Sequence, residues 1–154
     1  MRRRDFVSFA VGAGFAAAAG PLSAQGPRRF TARLGWVPIS GAERADVAGR
    51  GSAAATLSRS RLSITGSFEG LPAAATAARL HQGVATGARG PAIADLEITR
   101  ADHGDIEGEV ELDAEQIAAL RAGFLYVQVH AEGKGVPEDG SVLWGWLIPA
   151  DRAR

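Results

Sequence analysis

The sequence predicts an all-β fold, an antiparallel β-sandwich with one short helix. Short segments of alternating apolar and polar residues recur along the chain, and glycine-rich or proline-containing turns separate them. Only residues 113–122 have a convincing helical pattern. Alternating β and α units are absent, which argues against a parallel nucleotide-binding sheet.

The N-terminus has the pattern of an export signal. Three arginines at positions 2–4 precede an uncharged run from Val7 to Ala19, and small residues follow it. The run has 13 residues, whereas a membrane-spanning helix needs about 20. The sequence RRDF at positions 3–6 resembles a twin-arginine signal. We expect residues 1–24 to be removed before Gln25, leaving a periplasmic or secreted protein without a membrane anchor.

The mature chain is expected to be one domain, residues 30–149, between a flexible lead at 25–29 and a C-terminal tail at 150–154. The full chain has 17 basic and 17 acidic residues, and the signal removes three and one of these, so the mature part carries 14 and 16. This slight negative charge argues against a nucleic-acid partner or an anionic-membrane partner. The absence of cysteine excludes disulfides, thiol catalysis and cysteine-ligated metals.

The first half of the domain predicts strands joined by turns. Residues 30–36 alternate apolar with polar or small residues, as in a half-buried strand. Residues 38–50 are rich in turn-forming residues and predict a long loop. The segments 51–57 and 61–70 predict a hairpin with its turn at 58–60, and 76–84 predicts the next strand.

The second half predicts four strands and the helix. The strands are expected at 92–98, 105–112, 124–132 and 141–148. The helix at 113–122 has Asp113 as its expected N-cap, Gln116 three residues on, and Gly123 at its C-terminal end.

Several motifs follow one another in a characteristic order: residues 77–83 (AARLHQG), Gly90-Pro91, the short helix and residues 123–130 (GFLYVQVH). From about Phe30 to Ile148, this order resembles the CHRD domain, a family named from chordin and widespread in exported bacterial proteins. It implies an extracytoplasmic Greek-key β-sandwich comparable with immunoglobulin-like and copper–zinc superoxide dismutase-like folds. It does not imply a reaction, and the animal protein in which such repeats occur is an extracellular binding protein.

The chain departs from the family pattern at three places. Family members usually have His-x-His where this chain has Arg79-Leu80-His81, so arginine replaces the first histidine. Gln128 stands where asparagine is common. Residues 141–146 (SVLWGW) replace a usual Gly-Glu-Ile-Arg-Gly-Gln ending.

Strand alternation places these unusual residues on one outer face. In the predicted strands 76–84, 124–132 and 141–148, apolar residues at alternate positions are expected to face the core. The positions between them then face outward, including Tyr126 and Val142. If the three strands are neighbours, they form what we call the histidine–tryptophan patch: Arg79, His81, Gln128, His130, Trp144 and Trp146.

Two interpretations of this patch are open. As a binding surface for an unknown protein or small ligand in the periplasm, it offers tryptophan faces for apolar contact, with arginine and histidine to orient a polar or anionic group. As a structural feature, it consists of tryptophans covered by a loop or by the helix, and of histidines that hydrogen-bond to their neighbours.

Metal binding is the alternative function. Imidazole is a common ligand of copper and zinc, and His81 and His130 fall on strands that could be adjacent. Two histidines do not complete a tetrahedral site, and the guanidinium of Arg79 repels a cation. His103 lies in a predicted turn beside acidic residues and is not expected to help. We therefore expect no cofactor, with copper or zinc as the alternative.

No motif indicates an enzyme. The sequence contains no Gly-x-Ser-x-Gly elbow, no phosphate-binding glycine loop and no His-Glu-x-x-His helix. Glu107, Glu109 and Glu111 alternate on one strand, but such a row is typical of an exposed charged face that protects a sheet edge. The expectation is a non-catalytic protein.

Overall fold

The computed structural model describes residues 28–37 and 48–152. The predicted signal peptide and residues 38–47 of the predicted long loop lie outside these residues. The described part forms nine strands and one helix: β1 Arg28–Trp36, β2 Arg50–Ser58, β3 Arg61–Glu69, β4 Ala75–Gln82, β5 Ala92–Ile98, β6 Gly104–Glu111, α1 Ala114–Ala122, β7 Leu125–Ala131, β8 Ser141–Trp146 and β9 Ile148–Pro149. Strand β1 begins inside the predicted flexible lead.

The strands form a closed antiparallel barrel. The order around it is β2-β3-β6-β5-β4-β7-β8-β1, and β1 pairs back with β2 to close the ring of eight strands. The short strand β9 adds to β1 beside this closure. The all-β class and the single helix predicted from the sequence are therefore confirmed.

The prediction of a Greek-key sandwich with two separate sheets was wrong, because the sheets are joined into this barrel. Strands β1 and β5 join them, since each pairs with one sheet along part of its length and with the other sheet along the rest. Strand β1 pairs with β2 through residues 28–34 and with β8 through Gly35 and Trp36. Strand β5 pairs with β4 through Ala92–Leu96 and with β6 through Glu97 and Ile98. Each strand thus crosses a corner, and no long edge is left in the described sheet.

The local predictions for the hairpin and the helix are confirmed. Strands β2 and β3 pair from Arg50–Glu69 to Ser58–Arg61 around a tight turn. Helix α1 begins with a capping box in which Asp113 and Gln116 satisfy each other's backbone N–H groups. It ends at Gly123, whose φ of 81° is readily adopted by glycine.

The interior of the barrel is filled by alternate residues from every long strand. Leu62, Ile64, Leu80, Val127 and Leu143 are all at most 1% exposed. Burial at this level excludes water and gives the barrel a single hydrophobic core.

Two expectations about outward residues need correction. Val142, expected on the outer face, is fully buried and belongs to the core cluster. The pairing of β7 with β8 shifts at Val129–His130, so simple alternation fails at this end of β8. The glutamates of β6 do face solvent, but β6 pairs with both β3 and β5 and is not an edge.

Candidate functional site

Strands β4, β7 and β8 lie side by side and bring the histidine–tryptophan patch together. Arg79 is opposite Gln128, and Gln128 is opposite Trp144. His130 lies two positions along β7 from Gln128, on the same outer face. The condition on which the patch depends, that the three strands are neighbours, is therefore met by their register.

Tyr126 lies at the centre of the patch. It is opposite His81 on β4 and opposite Trp146 on β8. Its ring stacks on His81 at a centroid distance of 4.9 Å, and it contacts Trp146 at 4.4 Å and Trp144 at 5.8 Å. Although it projects from the outer side of the barrel, Tyr126 is only 1% exposed.

The loop between β4 and β5 covers this tyrosine. Gly90 donates its N–H to the Tyr126 hydroxyl at 3.0 Å, and its carbonyl accepts from the same hydroxyl at 3.1 Å. Gln82 N–H donates to the Pro91 carbonyl and closes the base of the loop. Gly83 N–H donates to the Phe124 carbonyl and attaches the start of the loop to the segment before β7. These bonds satisfy the polar groups of a loop that lies on an aromatic surface.

Gly90 and Gly83 permit this close approach. A Cβ at Gly90 would lie 1.8 Å from the Gln82 carbonyl oxygen, and a Cβ at Gly83 would lie 3.0 Å from the Trp146 ring. Residues with side chains would therefore lift the loop from the patch.

The loop between β7 and β8 borders the other side. Arg89 donates to Asp139 at 2.8 Å, which joins the two loops, and the Arg89 guanidinium lies 6.0 Å from the Trp144 ring centroid. Ser141 N–H donates to the Asp139 carboxylate at 3.0 Å. Burial raises the pKa of Asp139, but its hydrogen bonds from Arg89 and Ser141 outweigh this and hold the pKa below 3.8.

Each histidine of the patch is oriented by a backbone carbonyl. His81 Nδ1 lies 3.0 Å from the Gly90 carbonyl oxygen; because a carbonyl only accepts, Nδ1 carries the proton. His130 makes a backbone hydrogen bond to Asp139. The Nε2 atoms of both rings are buried and have no hydrogen-bond partner among the described residues. In the neutral rings, both Nε2 atoms therefore present a lone pair.

The surroundings of His130 favour its neutral form. Burial lowers its pKa from the usual 6.5, and the positive charge of Arg79 and the neighbouring His81 lower it further. The backbone hydrogen bond and the charge of Asp139 oppose this change only in part.

Arg79 and Gln128 lie opposite each other within the patch. Arg79 donates to Asp95 on β5 at 3.0 Å, and about half of its side chain is exposed. Gln128 is buried, and its side-chain amide donates to the Ser141 hydroxyl. Both side chains are therefore already engaged within the protein.

The structure also shows which residues the sequence prediction omitted. Tyr126 was placed on the correct face but was left out of the patch, although its alternation with Gln128 and His130 could have included it. Gly90, Arg89 and Asp139 come from loops, and no local pattern indicates that these loops reach the patch. His103 pairs with Asp102 at 2.7 Å on the exposed surface.

The structure bears on two alternatives from the sequence: whether the tryptophans are covered, and whether the patch binds a metal. The structural interpretation expected a loop or the helix to cover the tryptophans. A loop covers Tyr126 beside them, while Trp144 and Trp146 remain half-buried and in contact with Tyr126. Within the described residues, no three or more histidine, aspartate or glutamate side chains gather into a possible metal cluster. No helix in the same part of the chain is long and apolar enough to cross a membrane.

These features define a small antiparallel barrel domain that carries an aromatic and histidine-containing site on one outer face. The model of the CHRD domain family matches residues 37–135, more than half of the chain, and the chain belongs to this family. The matched segment contains His81 and His130 and ends before β8 with its two tryptophans. Searches of curated proteins and of solved structures found no significant match.

Proposed function

We propose that the chain is an exported, non-catalytic binding module and that the histidine–tryptophan patch, with Tyr126 at its centre, is its contact site. Membership of the CHRD family supports a binding role. The observation that carries the proposal is the pair of buried, unpartnered Nε2 atoms of His81 and His130. Because buried polar atoms normally have a partner, this pair indicates a group that binds there.

The patch has the chemistry of a binding site. Trp144 and Trp146 are half-buried and packed edge to face at 5.7 Å, so each keeps apolar surface available to a ligand. Arg89 and Arg79 border them and are each about half exposed. A small ligand with an apolar body and a polar end would contact the rings and hydrogen-bond at the border.

A ligand screen tests this proposal. The mature domain is mixed with sugars, aromatic carboxylates, inorganic anions and metal ions, while thermal unfolding and tryptophan fluorescence are recorded. At least one probe is expected to raise Tm in the wild type and to lose its effect in Trp144→Ala. Trp36→Ala is the matched control, since Trp36 is 59% exposed and hydrogen-bonds to Gly49 instead. A Tm shift by an organic or anionic probe that survives Trp144→Ala would place the binding of that probe elsewhere.

A second candidate function is metal binding by His81 and His130. The observation that favours it is the orientation of both rings by backbone carbonyls, an arrangement that fixes the tautomer of metal-binding histidines. Calorimetric titration with zinc or cupric ion, on the wild type and on the double variant His81→Ala, His130→Ala, checks it. Heats that are unchanged in the double variant would remove this candidate.

Export through the twin-arginine route is part of the proposal. It is supported by the arginine pair before a short, weakly hydrophobic run. Replacing Arg3 and Arg4 by lysine is expected to leave precursor in the cytoplasm, as detected by immunoblotting of cell fractions. Continued export of the lysine variant would indicate the general secretion route.

A further inference from the structure

The two unpartnered nitrogens of the patch belong to one pair of rings. The His81 and His130 ring centroids are 6.4 Å apart and the ring planes differ by 28°. Each ring is oriented through its other side, by the Gly90 carbonyl and by the Asp139 backbone. Two buried lone pairs therefore come from side chains that are fixed in place before any ligand arrives.

The centroid separation of the rings is close to what one shared ion in straight coordination requires when both Nε2 atoms face it. Two imidazoles bound at about 2.0 Å to one ion have centroids roughly 6.3 Å apart when the nitrogen–ion–nitrogen angle is straight, and roughly 5 Å apart when it is tetrahedral. The observed 6.4 Å is close to the first value. A two-coordinate ion needs no third histidine, and none of the described residues supplies one here.

The charges around the patch select against a divalent ion. The two carboxylates that border it, Asp95 and Asp139, are already paired with Arg79 and Arg89. The desolvation penalty of an ion grows with the square of its charge, and nearby guanidinium groups add repulsion. A monovalent ion pays the smaller penalty and is repelled less.

The aromatic rings suit a soft monovalent cation. Tyr126 stacks on His81 and also contacts both tryptophans, so an aromatic cluster adjoins the histidine pair through Tyr126. Aromatic faces also attract cations through their quadrupole. Imidazole nitrogen is a good ligand for copper, whereas the oxygen ligands that hard cations prefer are engaged elsewhere.

We infer that His81 and His130 bind one cuprous ion through their Nε2 atoms, in a two-coordinate site beside the ring of Tyr126. This inference rests on the proposed function, because it assigns a ligand to the same patch. It selects monovalent copper from the copper and zinc ions of the second candidate.

Anaerobic competition with the chromophoric chelator bicinchoninate tests the inference. Cuprous ion is supplied as its acetonitrile complex to the mature domain, and the fall in chelator absorbance gives affinity and stoichiometry. The wild type is expected to take up one equivalent, and His81→Ala or His130→Ala to bind at least about 100-fold more weakly, because each removes a direct ligand. His103→Ala, which alters an exposed histidine paired with Asp102, should bind like the wild type.

Two further measurements check the folding of the variants and the coordination of the copper ion. Circular dichroism verifies that the alanine variants fold, and glutamine variants replace any that do not. X-ray absorption of the copper-loaded wild type should show two nitrogen ligands and the strong pre-edge band of two-coordinate cuprous ion. Binding that persists in the double variant, or a site with three or more ligands, would overturn the inference.

The zinc ion and organic probes of the ligand screen distinguish a failure of this inference from a failure of the proposed function. If a probe binds the wild type and loses its effect in Trp144→Ala, but cuprous ion does not bind, the patch is a binding site for another ligand and only the copper assignment is wrong. If no probe depends on Trp144 and cuprous ion also fails to bind, both are wrong.

Discussion

Two outer faces of the same barrel have opposite characters. The face of β4, β7 and β8 carries the histidine–tryptophan patch, lies under one loop with a second loop at its border, and buries Tyr126. The face of β2 and β3 carries small, mostly polar residues that are exposed or half-buried: Ser52, Ala54, Thr56, Ser63, Thr65 and Ser67. Both faces follow the same strand alternation. The faces differ in their side chains and in their cover, because only the aromatic face lies against a loop that hydrogen-bonds to one of its rings.

The largest contrast between the faces is expected from removing a central side chain on each. Tyr126→Ala should lower the free energy of unfolding by about 4 kcal/mol, because it deletes a buried ring and the hydrogen-bond partner of Gly90. Thr65→Ala on the exposed face should change it by less than about 0.5 kcal/mol. Urea unfolding followed by circular dichroism measures both. Equal losses would show that the patch is no more tightly packed than the bare face.

A second contrast tests the covering loop. Gly90→Ala should cost about 3 kcal/mol, because the new Cβ would meet the Gln82 backbone and push the loop off Tyr126. Gly87→Ala in the same loop should cost only about 1 kcal/mol, since its Cβ enters open space and the strain comes from its positive φ alone. Thermal unfolding of the two variants provides the comparison. A larger loss for Gly87→Ala would mean that the loop is not held where the structure places it.

The ion pair between the two loops should contribute less to the free energy of unfolding than Gly90 does. Arg89 and Asp139 are about half exposed, so solvent screens their attraction. A double-mutant cycle with Arg89→Ala and Asp139→Ala should give a coupling of about 0.5 kcal/mol. Unfolding curves at low and high salt measure it, and the coupling should weaken with salt. A coupling that does not respond to salt would contradict a screened surface pair.

The smallest effect on stability near neutral pH is expected from the protonation of His130. Because burial and Arg79 hold its pKa below 6.5 in the folded protein, the unfolded chain takes up a proton first as the pH falls. The stability contribution of neutral His130 is therefore fully present above 6.5 and decreases as the pH falls through the lower folded pKa.

The variant His130→Gln isolates this effect. The difference in unfolding free energy between the wild type and the variant should decrease between about pH 7 and pH 5. Equilibrium unfolding in urea at several pH values measures it. A difference that stays constant over this range would show that the pKa of His130 is not lowered.

The strands, the hairpin and the helix could be predicted from the sequence because each has a local cause. Alternating apolar residues place Leu62 and Ile64 inside and Thr65 outside, whatever the neighbouring strand is. Asp113, Gln116 and Gly123 satisfy the helix ends within a few residues. The six patch residues were likewise assigned to one face by alternation alone.

The closure of the barrel and the formation of the site were decided only by the tertiary structure. Which strands bend to pair on both sides, as β1 and β5 do, depends on contacts between distant segments. The burial of Val142 follows from a shifted register that no local pattern records. The unpartnered nitrogens of His81 and His130 exist because loops orient the rings from one side, and those loops reach the patch only once the barrel has formed.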